Sequence, residues 1–285
     1  MSNIKLDFEP QTFQNVRDFK SDNMKCLVFA YVSLVFLIKL VVCDGGTNQI
    51  DKIIDLTWAV DVNPISWPNN KKFMYTRQVE KQNEDGSWYA TNEYCSGEHG
   101  GTHLDAPYHF YQQGWKVDDI PIERFFVQGV LVDISQEVND TGRSTQLTID
   151  HLDKWIKEHG SLPNNTVMLI RYGWSQYYSD YDAYMGEGAT PNFPGMTPEA
   201  ARWLVDSKRI IGVGVDTASL DQGNSTTFDV HKILCSHQIY GLENLNIPED
   251  LPAKGFSLVI LPMKLKHGTG AAARVIAVPK SMANW

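Results

Sequence analysis

The sequence predicts a single α/β domain in which short strands alternate with amphipathic helices. The chain has 285 residues, and 42% of them are apolar, which is enough to bury a substantial core. Runs rich in β-branched and aromatic residues indicate strands. They cover residues 53–58, 72–79, 129–134, 167–172, 210–215, 256–261 and 274–278. Residues 47–285 contain neither a long linker nor an internal repeat, so we expect one domain there.

Two segments between the strand-like runs carry the signals of helix ends. Thr148 is a predicted N-cap, and the helix that follows turns Trp155 towards the core before Gly160 ends it. Thr197 caps a second helix, with Pro198 in its first turn, where a missing N–H costs nothing. Helices between strands are typical of α/β folds. The order of the strands stays open.

The charge of the chain bears on its partners. The formal net charge is −9 and the pI is near 5.3. The sequence has no cluster of lysine and arginine interleaved with aromatic residues, which a phosphate-binding surface needs. We therefore expect no nucleic-acid partner.

An apolar run over residues 27–43 is typical of a targeting segment, interrupted only by Ser33 and Lys39. Met24 starts a basic, then apolar, then polar arrangement, so we expect initiation there and a signal peptide over residues 24–45. The mature chain is then secreted or lumenal. Two alternatives remain: an uncleaved membrane anchor that leaves the polar segment 1–23 in the cytosol, or a buried helix. A comfortable span needs about 20 apolar residues.

Sequons and cysteines bear on the same compartment. Asn139, Asn164 and Asn224 begin Asn-x-Ser/Thr sequons in stretches typical of exposed loops. Outside the targeting segment the cysteines are Cys95 and Cys235. Either a disulfide or two buried thiols is compatible with the sequence.

The residues that carry chemistry are concentrated in the segment HGGTHLDAPYHF at 99–110. In an extended chain alternate side chains share a face, which puts His103, Asp105 and His109 on one side. The glycine pair at 100–101 allows the chain to bend His99 towards them. Imidazole nitrogens and a carboxylate that converge in this way are suitable ligands for a divalent metal ion.

The string HGGTHLDAPYH resembles the signature H-x-G-T-H-x-D-x-P-x-H of the cyclase family, which includes bacterial-type kynurenine formamidases and isatin hydrolases. Segments at 53–57, 212–221, 243–245 and 268–275 resemble further parts of that family. The resemblance implies its swivelling β/β/α fold, with a mixed sheet core and flanking helices.

Carried over position by position, the resemblance implies the ligands of the metal site. His99, His103 and Asp105 hold one ion, and Asp105 bridges to a second ion completed by His231 and Glu243. One or two ions are compatible with this set. Zinc and manganese both suit mixed nitrogen and oxygen ligands.

His109 takes the position of the catalytic histidine. A metal ion lowers the pKa of its bound water from about 15.7 towards 7. A histidine near its ordinary pKa of about 6.5 then takes one proton and gives one to the leaving nitrogen. Asp216 and Asp221 either order the loop near the metals or stabilise a turn.

The resemblance implies an arylformamidase-like hydrolase that converts N-formylkynurenine to kynurenine and formate. The alternatives are another cyclic amide such as isatin, a lactone or an ester, and a secreted binding protein that its metal only stabilises. An unligated His109 favours an enzyme, since a purely structural site has no use for it. Trp67, Trp88 and Tyr94 either stack on an aromatic amide substrate or pack in the core. The resemblance also implies a homo-oligomer, a dimer or a tetramer.

Overall fold

A computed structural model of the chain describes residues 51–61 and 65–283. The predicted signal peptide or anchor at 24–45 and the polar segment 1–23 lie outside the described residues. The strands, numbered β1 to β12, are Ile54–Asp55, Met74–Gln82, Trp88–Cys95, His103–Asp105, Phe126–Asp133, Gln146–Leu147, Thr166–Arg171, Gly195–Met196, Ile210–Val215, Tyr240–Glu243, Phe256–Pro262 and Gly270–Pro279. The α-helices, numbered α1 to α5, are Ser135–Thr141, Ile149–His159, Tyr181–Met185, Pro198–Ser207 and Asp229–Cys235.

Most of the strands form one mixed sheet, in the order β1-β12-β11-β5-β7-β9-β10-β4. Strands β5, β7, β9 and β10 run parallel to one another, and the remaining pairings are antiparallel. Strand β4 also pairs with β12, so the sheet closes on itself like a barrel. The predicted fold class, a mixed sheet with flanking helices, is confirmed. The closure of the sheet was not predicted.

The sheet is buried on both faces. In β7, Val167 and Leu169 point into the apolar cluster enclosed by the sheet, whereas Met168 and Ile170 join the cluster beneath the helices. This alternation is expected of a strand covered on both sides. The indole nitrogen of Trp155 donates a hydrogen bond of 2.8 Å to a β5 carbonyl, which ties helix α2 to the sheet.

Both predicted helices have the predicted ends. Helix α2 follows Thr148 and stops at Gly160, whose φ of +87° a glycine adopts without strain. In helix α4 the hydroxyl of Thr197 accepts a hydrogen bond of 3.2 Å from the amide of Ala200. The local capping signals therefore located these helices correctly.

The hairpin formed by β2 and β3 stands apart from the large sheet, and within the described residues its strands pair only with each other. Every residue in it is at least partly exposed. Trp88 is 66% exposed and Tyr94 is 53% exposed, so core packing is the wrong expectation for both. Trp67 instead packs partly buried against the core.

The cysteines match neither sequence alternative. Cys95 and Cys235 are both free, the former exposed and the latter buried. Residues 51–61 and 65–283 contain no helix with the length and apolar character needed to cross a membrane.

Candidate metal centre

Strand β4 positions two of the predicted metal ligands. His103 and Asp105 alternate with Leu104, so their side chains share one face of the strand while Leu104 enters the apolar cluster. Glu243 of β10 pairs directly with His103 and projects from the same face. All three polar side chains are buried. The pairing of β4 with β10 therefore gathers a histidine and two carboxylates on the face of the sheet opposite the enclosed apolar cluster.

His99 enters the group from the loop before β4. Gly101 has a φ of +63°, the turn that the sequence predicted for this glycine pair. A Cβ at Gly270 would lie 2.5 Å from His99 Cε1, so only glycine leaves room for the ring. His99 Nδ1 lies 2.6 Å from Asp105 Oδ1, and His99 Nε2 lies 2.8 Å from Thr269 Oγ1.

His231 approaches from helix α5. Its Nε2 lies 3.2 Å from Asp105 Oδ2 and 3.1 Å from Glu243 Oε1. Asp221 holds the start of this helix, because its carboxylate accepts hydrogen bonds from the amides of Val230 and His231. The position of His231 therefore depends on both the helix and Asp221.

The residues form two groups that share one carboxylate. His99, His103 and Asp105 make the first group, and Asp105, His231 and Glu243 make the second. Within each group the ligand atoms lie within 4.8 Å of one another. The structure thus brings together all five residues predicted to bind metal, and one or two divalent ions fit the nitrogen and oxygen donors.

Hydrogen bonds to the second ring nitrogen support this fit. His103 Nδ1 lies 2.8 Å from the carbonyl of Gly101, and His231 Nδ1 lies 2.6 Å from a carboxylate oxygen of Asp221. Both partners only accept, so each Nδ1 carries the proton and each Nε2 has a lone pair to offer a metal ion. His103 Nε2 is buried and has no hydrogen-bond partner, as expected of a ligand atom.

Without a metal ion, the carboxylates attract protons to these imidazoles. Burial works against a charged His103, but the carboxylate of Asp105, with Oδ1 3.2 Å from His103 Nε2, and the charge of Glu243 raise the pKa of His103 to about 9. Burial is likewise outweighed at His231, where bonds to carboxylates raise the pKa well above the ordinary value. Burial and the charge of Asp105 raise the pKa of Glu243.

His109 lies beside the site, but a turn places it there and not the extended strand that the sequence predicted. The chain leaves the extended conformation at Ala106, and Pro107 begins a 3-10 turn over Pro107–His109, so strand alternation does not place this side chain. The turn stacks its ring on His99, with 4.0 Å between the centroids. His109 is exposed at its outer edge, and its ring lies against the rings of His99, Phe110 and His231. This desolvation, with the charges of nearby histidines, lowers the pKa of His109 to about 4 rather than leaving it near 6.5.

Two aspartates that the sequence left open have different roles. Asp221 orients the ligand His231, as described above. Asp216 is fully buried and accepts hydrogen bonds of 2.8 and 2.7 Å from the amides of Tyr172 and Trp174, so it stabilises a turn. Burial raises the pKa of Asp216 to about 6. Sequence reasoning also missed Glu98, which stands directly before His99, the first residue of the motif.

Comparisons with known proteins agree with this geometry. A family model described as putative cyclase matches residues 54–222. An isatin hydrolase of Roseibium aggregatum is 30% identical over 255 residues, which cover 86% of this chain and 93% of that protein. A kynurenine formamidase of Salinibacter ruber is 25% identical over 224 residues, covering 79% of this chain and 96% of that protein.

A solved structure shows the same similarity in three dimensions. Isatin hydrolase A from Labrenzia aggregata, bound to benzyl benzoate, is 30% identical with a TM-score of 0.74, covering 86% of this chain and 99% of that chain. The chain therefore belongs to the cyclase family. With its His/Asp/Glu group, it is a metal-dependent hydrolase of that family.

Proposed function

We propose that this protein hydrolyses an amide bond attached to an aromatic ring. The observation that carries the proposal is the position of His109, which belongs to neither ligand group although its ring stacks on His99. A site built only for stability has no use for such a histidine. The alternative of a non-catalytic, metal-stabilised binding protein is therefore less well supported.

The proposed chemistry divides between the ion and His109. The two ligand groups would hold a divalent cation, which would polarise the amide carbonyl and lower the pKa of its bound water from about 15.7 to about 7. His109 is neutral at pH 7 because its pKa is lowered to about 4, so it accepts a proton from the attacking water. As the new carbon–oxygen bond forms and the carbon–nitrogen bond breaks, His109 returns that proton to the leaving nitrogen.

Aromatic side chains beside the second ligand group support an aryl substrate. The ring of Phe110 lies 4.7 Å from that of His231, and Phe228 lies 5.4 Å from Phe110. Trp67 continues the row, 5.7 Å from Phe228. These rings offer flat apolar surface for stacking. Of the aromatic residues that the sequence offered, Trp67 is the one in this row.

Two substrates follow from this proposal. N-Formylkynurenine is the substrate that the motif suggested, and its hydrolysis gives kynurenine and formate. Isatin is supported by the 30% identity to an isatin hydrolase, and ring opening gives an acid. Lactones and esters are further possibilities for the same site.

The test is to strip residues 46–285 with a chelator, restore zinc or manganese separately, and follow both substrates by absorbance. Turnover that requires added metal and prefers one substrate supports the proposal and selects between the two. A folded, metal-loaded protein that cleaves neither amide would contradict the proposal, and cleavage of a lactone or an ester alone would select that alternative.

We also propose that the protein acts as a homo-oligomer. An isolated two-stranded hairpin is marginally stable in water, and the β2–β3 hairpin exposes Trp88, Tyr89 and Tyr94. A second copy that covers this surface accounts for these side chains.

The secretory pathway is the compartment that we propose for the mature chain. Asn164 and Asn224 are exposed in loops as expected, whereas Asn139 is exposed on helix α1 rather than in a loop. All three side chains are at the surface, where N-glycans are carried. The signal-like residues 24–45 supply the other support.

A further inference from the structure

Glu98 lies directly before a metal ligand but contacts a distant part of the chain. Its Oε2 accepts hydrogen bonds of 2.8 Å from the amide and 2.7 Å from the hydroxyl of Thr269, and it lies 3.3 Å from the amide of Gly270. The carbonyl of Thr269 accepts a further hydrogen bond of 2.9 Å from Ala106. Thr269 is therefore held from both sides.

The direction of these bonds determines which nitrogen of His99 carries the proton. A threonine hydroxyl has one hydrogen, and Thr269 donates it to Glu98, because a carboxylate only accepts. Towards His99 Nε2, 2.8 Å away, the hydroxyl can then only accept. His99 Nε2 is therefore protonated, so a metal ion that binds this ring must bind Nδ1, which faces Asp105 Oδ1 at 2.6 Å and gives up any proton shared with that carboxylate when the ion binds.

His99 differs in this respect from the other two histidine ligands. His103 and His231 donate to a backbone carbonyl and a carboxylate, groups that only accept. The partner of His99 is a hydroxyl, which can rotate and donate instead. A second group is needed to set its direction, and Glu98 is placed to do so.

We infer that Glu98 is a positioning residue, which acts through the Thr269 hydroxyl to hold His99 in the orientation and tautomer that bind a metal ion through Nδ1. The inference rests on the proposed metal-dependent function only through metal binding. Glu98 touches neither substrate nor reacting atoms in this role. Replacing a residue that hydrogen-bonds a metal-binding histidine typically lowers metal affinity by about 10–100-fold.

The test measures the zinc or cobalt affinity of the full chain by competition with a chelator, with no substrate present. Thr269→Val removes the acceptor at nearly constant shape, and we expect affinity to fall about 10–100-fold. Thr269→Ser keeps the hydroxyl and should restore affinity to within about threefold of the wild type. Thr91→Val, in the exposed hairpin, is the matched control and should bind as the wild type does.

A double-mutant cycle separates this role from general support of the loop. Glu98→Ala should weaken binding alone, yet add nothing to Thr269→Val, because Glu98 acts through that hydroxyl. Glu98→Gln keeps an acceptor oxygen and should retain most of the affinity. Unchanged affinity in Thr269→Val, or additive losses in the double variant, would overturn the inference. Failure to hydrolyse any amide leaves these affinities unaffected and so contradicts only the proposed function.

Discussion

Asp105 and His231 are 126 residues apart in the chain, yet Asp105 Oδ2 lies 3.2 Å from His231 Nε2. The other oxygen of the same carboxylate lies 2.6 Å from His99 Nδ1. One carboxylate therefore connects a group built within a short segment to a group built from a distant helix. We therefore expect both metal binding and catalysis to depend on this residue.

Replacing Asp105 should empty both ligand groups. In Asp105→Asn the shared charge is lost, and we expect metal content after dialysis to fall to about a tenth of the wild type or less, with activity falling in parallel. Elemental analysis of the purified protein measures this. Asp250→Asn, which alters an exposed carboxylate outside both ligand groups, is the control. Full metal occupancy in Asp105→Asn would show that the carboxylate is not shared.

Replacing His109 should separate catalysis from metal binding. His109→Ala removes the proton acceptor but no ligand, so we expect kcat to fall about 10²–10⁴-fold while metal content is retained. His237→Ala, an exposed histidine outside the groups, should keep its activity. An active His109→Ala enzyme would contradict the assigned role.

The metal-free protein should lose stability as the pH rises. His103 has a pKa of about 9 in the folded protein and about 6.5 when unfolded, so its stabilisation is complete below about 6.5 and is lost by about 9. The pKa of His231 is also raised in the folded protein, so its contribution to stability is likewise lost as the pH rises.

A bound ion should reverse this trend, because it must displace those protons. Urea unfolding at pH 6, 7.5 and 9 gives the free energy of unfolding at each pH. The slope of this free energy against pH is then compared between the protein with chelator and the protein with metal. His103→Gln should flatten the slope of the metal-free protein. Parallel slopes with and without metal would be inconsistent with proton displacement.

The hairpin should mediate assembly. We expect light scattering to give the mass of a dimer or tetramer for the wild type. Trp88→Ser with Tyr94→Ser should lower that mass, because both side chains are largely exposed in the single chain. Lys266→Ser, at an exposed position outside the hairpin, is the control. A monomeric wild type would refute the proposed oligomer.

Expression in a eukaryotic secretory host should produce a glycosylated protein. Enzymatic removal of N-glycans should increase electrophoretic mobility. Each of Asn139→Gln, Asn164→Gln and Asn224→Gln should remove one glycan and so produce one part of that mobility shift. Recovery of unmodified protein in the cytosol would argue against the proposed compartment.

The sequence by itself determined the features that depend on neighbouring residues. The α/β class followed from the alternation of strands and helices, and the caps at Thr148 and Thr197 lie where the structure has them. The motif also predicted that His103 and Asp105 share a face, because strand geometry repeats every two residues. Resemblance to a family added His231 and Glu243.

Tertiary structure decided what depends on contacts between distant segments. The closed sheet brings Thr269 to Glu98, 171 residues away, and no local spacing encodes that pairing. The pKa of His109 is a through-space quantity, set by desolvation and by charges from other segments. Exposure of Trp88 likewise depends on whether the hairpin meets the core. Local sequence patterns specify the elements, whereas long-range packing determines which side chains meet.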